Sequence, residues 1–241
     1  MMSNYLNQTN RNIMKPMNLK HFFISIILVL LTSLPGMGQE GVIKYDLYNL
    51  SENSKLEVIN RKVSSLLEKD KRGISFSKKE NDGVAWLKDQ EFSNGVIELD
   101  IRGKDNFQQS FVGIVFHGLD INTLDAVYFR PFNFQSTDSA RRIHAVQYIS
   151  LPDYPWQVLR EKFSGKYEKA VIPAPGGNDW FHAKIVIKYP HVTVYVNGNN
   201  EPSLNVDQLN KRTSGKIGLW VGNNSDGDFA NLQITAENQV K

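Results

Sequence analysis

The sequence predicts an all-β protein built as a sandwich of two antiparallel sheets. Three observations carry that expectation. From residue 41 onward the chain breaks into about a dozen short runs of strand character separated by turn residues, the spacing of a sandwich or barrel. Two of these runs alternate strictly: Ile97, Leu99 and Ile101 fall on one face with Glu98, Asp100 and Arg102 on the other, and Ala183, Ile185 and Ile187 repeat the pattern. A period of two marks a strand with one side in a core and one side wet. Helical character is confined to 155–162 and a turn at 206–210.

In order, the predicted strands begin with 42–50 and 55–63. Runs 73–76 and 84–87 follow, and Lys78-Lys79-Glu80-Asn81-Asp82-Gly83 between them is a turn by composition. After the alternating strand 95–102, residues 112–116 are apolar on both parities, as expected of a central strand. Strands at 126–130 and 143–149 come next. Past 180–188, Tyr189-Pro190-His191 turns the chain into 192–196, and Asn197-Gly198-Asn199-Asn200 closes that strand with residues that tolerate positive φ. Strands 215–221 and 229–235 finish the chain, joined by an Asn/Asp/Gly-rich connection. No internal repeat is visible, and the alternating strands supply the core between the sheets.

Composition narrows the function. Residues 14–20 are basic and 22–34 almost wholly apolar, the pattern of a secretory signal peptide. The apolar run is short of the roughly 20 residues that span a bilayer comfortably. Gly36-Met37-Gly38 offers small residues to a signal peptidase, so 1–38 is expected to be removed and 39–241 to form one domain, secreted or periplasmic. Arg11, Lys15 and Lys20 are the only Lys, Arg, Asp or Glu residues in 1–38; without them, 25 basic residues stand against 25 acidic ones. A neutral mature chain has no field to attract nucleic acid or an anionic membrane surface. The lack of cysteine excludes disulfides, thiolate metal sites and a cysteine nucleophile.

Residues 110–156 concentrate polar and aromatic side chains on apolar strands, and this stretch is read as the floor of a ligand site. The later strands indicate what kind of ligand. Trp180-Phe-His-Ala-Lys-Ile-Val-Ile, Val192-Thr-Val-Tyr-Val-Asn-Gly, Gly215-Lys-Ile-Gly-Leu-Trp-Val-Gly and Phe229-Ala-Asn-Leu-Gln-Ile resemble the closing strands of the concanavalin A-like lectin/glucanase superfamily. Phe92-Ser-Asn-Gly-Val-Ile-Glu-Leu-Asp and Gly113-Ile-Val-Phe-His resemble, within it, the 3-keto-disaccharide hydrolases, also called glycoside hydrolase family 16-like. The likeness spans 92–234. The chain departs from that pattern where it places His117 instead of an arginine, and where Ala145-Val146-Gln147-Tyr148 keeps only the Val-Gln of an E-V-Q-I strand.

The resemblance implies a concanavalin A-like β-sandwich (jelly roll) that cleaves a glycosidic bond in a 3-keto-disaccharide or related glycoside. The alternatives are a non-catalytic carbohydrate-binding module and a structural envelope protein. On the enzymatic reading, His117 is the expected base, because an imidazole titrates near neutrality. Arg130 is the expected clamp on the carbonyl oxygen. Tyr128, Asn133, His144, Gln147, Tyr148 and Trp156 are expected to bind the sugar, aromatic faces suiting pyranose rings and planar polar groups their hydroxyls. Glu98-x-Asp100 begins like the E-x-D-x-x-E motif of family 16 glucanases, but Ile101-Arg102-Gly103-Lys104 supplies no second glutamate for a double displacement. A wet strand face accounts for those carboxylates. His117, His144 and His182 would bind metal only if the fold gathers them. No cofactor is expected beyond a structural calcium ion at the oxygen-rich run 223–228, which lacks the D-x-D-x-D-G order and also reads as a plain hairpin turn.

Overall fold

The computed structural model describes residues 41–237; the predicted signal segment and its cleavage point lie outside the described residues. In chain order the elements are β1 (Val42–Tyr45), α1 (Leu47–Glu52), β2 (Leu56–Ile59), β3 (Val63–Glu68), β4 (Lys71–Lys79), β5 (Gly83–Phe92), β6 (Gly95–Arg102), β7 (Val112–Asp120), β8 (Thr123–Phe129), α2 (Ser139–Arg142), β9 (Val146–Ser150), α3 (Trp156–Lys162), β10 (Glu168–Lys169), β11 (Phe181–Lys188), β12 (His191–Val196), β13 (Leu204–Asp207), β14 (Gly215–Val221) and β15 (Ser225–Ala236). They form an eight-stranded sheet ordered β13-β12-β11-β6-β15-β4-β3, with β1 paired to the far half of β15, and a seven-stranded sheet ordered β10-β9-β8-β7-β14-β5-β2.

The two sheets meet on the faces that the alternation predicts. Ile97, Leu99 and Ile101 pair across to Ile185, Ala183 and Phe181, and all six are buried. Phe181 packs edge-on against Phe129 of the opposite sheet, ring centroids 4.9 Å apart. Strand β15 keeps its apolar residues on this core face by a bulge. The register shifts between Ala230 and Gln233, and Asn231 adopts φ 53° there. The extra residue brings Leu232 and Ile234 to the side already occupied by Phe229. Asn231 then donates its Nδ2 to Asp100 on the outer face at 2.6 Å.

The predicted segments at 42–50, 206–210 and 55–63 came out differently. Residues 42–50 divide into β1 and α1, because Asp46 accepts the Asn49 backbone N–H at 3.0 Å and starts a helix that buries Leu47. Residues 206–210 hold no helical turn: Val206 pairs with Val192 and Leu204 with Val194, so this segment continues the sheet as edge strand β13. The run 55–63 is broken at Asn60, which has φ 54° and donates to the Glu80 and Asp82 carbonyls. Helix α3 matches the segment at 155–162.

Ile185 is fully buried between the sheets. Ile185→Ala should lower unfolding free energy by about 2–5 kcal/mol, read from urea melts with unchanged slope; a loss under about 1 kcal/mol would mean the layers are not held by this contact.

Candidate functional site

The outer face of the seven-stranded sheet carries the site. Register aligns Glu168, Gln147, Tyr128, Gly113 and Trp220 in one row across β10, β9, β8, β7 and β14. Gly113 matters here because a Cβ on it would lie 2.2 Å from the Val127 carbonyl oxygen and 2.7 Å from Tyr128 Cβ, so only glycine lets the row close up. The Tyr128 and Trp220 rings then approach to 5.2 Å between centroids.

Three connections wall this row: the segment between β6 and β7, the segment between β8 and β9, and the segment running from β9 into α3. They enclose a cavity of about 730 Å³. Phe107, Phe111, Phe132 and Trp156 give it aromatic walls, and Tyr128 and Trp220 part of its floor. Five titratable side chains besides Tyr128 line it: Asp82, Arg130, Arg141, His144 and Arg160.

The floor is a buried charged network. Glu168 is 2% exposed. Arg160, one helical turn after Trp156 on α3, holds it with a fork: Nε to Oε1 at 3.0 Å and Nη2 to Oε2 at 2.8 Å. His144 Nδ1 lies 2.8 Å from the same Oε2, close but poorly aligned for a linear hydrogen bond, and Arg130 Nη1 lies 3.6 Å away. Burial pushes the Glu168 carboxyl up, and the opposing pull of Arg160, His144 and Arg130 brings it below the usual carboxylate range. Arg130 donates to the His144 carbonyl at 3.0 Å, to the Tyr128 hydroxyl at 2.7 Å, and to Gln147 Oε1. Tyr128 also donates to Gln147 Oε1 at 2.9 Å, and burial pushes its phenol up. Gln147 Nε2 is buried without a partner among the described residues. At the other side of the cavity, burial raises the Asp82 carboxyl, with the Asn223 backbone N–H and Arg61 opposing.

Of the residues singled out from the sequence, Arg130, Tyr128, Asn133, His144 and Trp156 line this cavity, and Gln147 supports it from beneath. Asn133 donates to the His144 carbonyl at 3.2 Å. Two others lie elsewhere. Tyr148 pairs with Val127 on the core face; its hydroxyl donates to Asp125 and accepts from the Leu209 backbone N–H, which removes it from the sugar-binding set. His117 is removed from the catalytic role for a conformational reason. Strand β7 bulges there and His117 takes φ 50°, which turns the imidazole inward against Phe92 and Phe116. Its Nε2 meets the Ser93 carbonyl at 2.6 Å and its Nδ1 accepts from Gln208 at 3.0 Å. Burial lowers its pKa, so it is a neutral structural histidine. The fold does not gather His117, His144 and His182: the last sits on the outer face of the eight-stranded sheet against Asp100 at 2.9 Å. In the oxygen-rich run, Asp226 pairs with Lys104 and Asp228 with Arg102.

Sequence reasoning missed Arg160, Glu168, Asp82 and Arg141. Arg160 carries a legible signal, since it stands four residues after Trp156 in a predicted helix and stacks on that ring at 4.9 Å. Glu168 lies in a strand of two residues, too short to show any period.

Residues 50–235 match the family described as 3-keto-alpha-glucoside-1,2-lyase-like domain. No curated protein sequence matches the chain. Among solved structures, a Bacillus subtilis protein of unknown function with a galectin-like fold aligns at TM-score 0.55 and 13% identity, over 82% of this chain and 97% of its own. The carbohydrate-binding module CBM66 from Bacillus subtilis aligns at TM-score 0.52 and 13% identity, over 75% of this chain and 95% of the module. A structure described as a native glycosidic hydrolase aligns at TM-score 0.53 and 11% identity, over 83% and 98%. At these identities the likeness establishes the concanavalin A-like sandwich fold and nothing further.

Two outcomes test this description. Because the His117 pKa is lowered from its ordinary value of 6.5, unfolding takes up a proton between that value and the folded one, and stability declines as pH falls below about 6.5. Asparagine tolerates the left-handed backbone, so His117→Asn should fold and show a smaller loss between pH 7.5 and pH 5 in urea melts; an unchanged loss would refute the buried neutral imidazole. Glu168→Gln should cost about 3–5 kcal/mol by stranding the arginines it pairs, seen as a lower melting temperature, and a neutral effect would show that the network is not tight.

Proposed function

We propose that this chain, which belongs to the 3-keto-alpha-glucoside-1,2-lyase-like domain family, is a carbohydrate-active domain that opens the glycosidic bond of a sugar oxidised at C3. The observation that carries the reading is the pairing of His144 with Glu168 on the wall of an aromatic cavity of sugar-sized volume. The carboxylate lies beside one ring nitrogen of His144 and leaves the other as the candidate proton acceptor.

The chemistry follows from the carbonyl. A ketone at C3 acidifies the proton on C2. His144 takes that proton, and the electron pair moves into the C2–C3 bond while the C3 oxygen becomes an enolate. When the carbonyl reforms, the pair moves to C1–C2, the C1–O bond breaks, and the departing oxygen takes up a proton. The product sugar keeps its C3 ketone and gains a C1–C2 double bond; water can add across it later. Arg130 and the Tyr128 hydroxyl, both turned to the cavity floor, supply positive potential for the enolate oxygen. Asp82 stands beyond β14, on the far side of the sheet row from His144, where burial raises its carboxyl; it is the carboxyl placed to supply the proton that the leaving oxygen needs. Trp156 and Phe111 cover ring faces.

A second reading, a binding module without turnover, is favoured by one feature. Three of the donor contacts of Arg130 are already spent on His144, Tyr128 and Gln147. Export of the domain is also proposed, from the basic and apolar residues 14–34.

His144→Gln keeps a polar side chain of similar reach and loses the base. Turnover of a 3-keto-α-glucoside, followed by release of the aglycone, should fall about 10²–10⁴-fold while KM changes little. Binding of the same glycoside without any turnover in the unmodified chain would sink the lyase reading and support the binding module.

A further inference from the structure

The charges around the cavity do not cancel. Arg130 and Arg160 both lie against Glu168. Arg141 has no such partner. It sits in the last turn of α2 and lines the cavity. Its Nε donates to Asn133 Oδ1 at 3.3 Å and its Nη2 to the Phe132 carbonyl at 3.0 Å, and its guanidinium stacks 4.3 Å from the Phe107 ring centroid. Both acceptors are neutral. Among the described residues no carboxylate reaches it.

This arrangement fixes an arginine without neutralising it. Two neutral acceptors and an aromatic face hold the plane of the guanidinium, and among the described residues the Nη1 donors have no acceptor. A planar fork held in place loses little entropy when it binds, and carboxylate or sulfate oxygens match its geometry. Among the described residues the only carboxyl lining the cavity is Asp82, and burial raises it. With three arginines facing two carboxyl groups, the cavity carries an excess of positive charge, and Arg141 is its source. Aromatic walls account for a sugar ring, but not for this cation.

We propose that the cavity takes a glycan bearing an anionic substituent, a carboxylate or a sulfate ester, and that Arg141 receives that group. The inference rests on reading the cavity as a glycan site and adds the class of sugar it selects. It leaves the reaction at C3 untouched, since a carboxylate or sulfate at C6 lies away from the bond that breaks.

The test is calorimetric titration with three matched α-linked glucose disaccharides: neutral, oxidised to the uronate at C6, and 6-sulfated. The expected result is that one charged form binds at least about tenfold tighter than the neutral one, and that R141Q brings this ratio near one. The two charged arms separate carboxylate from sulfate. Raising NaCl from about 50 to 500 mM should weaken the charged form alone, which tests the idea on the unmodified chain should R141Q fail to fold. Neutral disaccharide binding as tightly as both charged forms would overturn the anionic class and leave the glycan reading standing. A charged preference that survives in folded R141Q would overturn the role of Arg141. If none of the three disaccharides binds, the anionic class is overturned; if a 3-keto-α-glucoside also fails to bind, the glycan reading of the cavity falls with it.

Discussion

Burying the carboxylate of Glu168 would cost several kcal/mol if it were left alone, and three separate segments of the chain supply the groups that prevent this. Arg160 arrives from α3, Arg130 from the end of β8, and His144 from the segment before β9. Each is brought to the same point on the outer sheet face, so the connections that carry them must fold down over the sheet. The walls of the cavity are therefore set by one electrostatic requirement at its floor. Phe111 and Phe132, whose rings meet edge-on at 5.5 Å, fill the space that these connections leave.

The same sheet has to satisfy opposite demands on its two faces. Its inner face is mostly apolar, with Val112, Ile114, Val127, Phe129 and Leu219 fully buried beside the Tyr148–Asp125 pair. Its outer face is equally removed from water near β8 and β9 but is polar, with Tyr128, Gln147, Glu168 and Arg130 all 5% exposed or less. Buried polar groups are stable only when paired, and here the row is nearly closed. Among the described residues the exceptions in the network are Gln147 Nε2 and His144 Nδ1. A network this complete holds its members in one geometry, as a site that must present fixed groups to a ligand requires.

The outline of the sandwich was legible in the sequence because burial on one face imposes a period of two. Ile97, Leu99 and Ile101 declare their face without help, and even the bulge in β15 shows as the three-residue step from Phe229 to Leu232 before alternation resumes at Ile234. Parity also found the site in part. Tyr128 and Arg130 share a face by spacing, and Gln147 joins them through strand pairing. Parity failed where the backbone left the strand conformation: His117 would follow Val115 to the outer face if β7 were regular, but φ 50° turns it inward. Aromatic character misled at Tyr148, which is expected beside Trp156 at the sugar but follows Gln147 on the strand and so faces the opposite way. Glu168 is silent in the sequence because its importance is made by contacts from residues 8 to 38 positions away.

The division of labour between floor and rim follows from how each donor is already used. Arg130 spends its guanidinium on the His144 carbonyl, Tyr128 and Gln147, so it contributes field and shape more than new hydrogen bonds. Arg160 is committed to Glu168. Groups whose capacity is consumed internally cannot discriminate among sugars by direct pairing, because a ligand would have to break bonds worth as much as those it makes. They can hold an imidazole in place and bias the potential at a carbonyl oxygen, which demands only proximity. Selectivity must then come from side chains with unspent valence nearer the solvent: the exposed faces of Phe107 and Trp156, the carboxyl of Asp82, and the Nη1 donors of Arg141. A sandwich that kept this floor and exchanged its rim would keep its electrostatics and change its ligand.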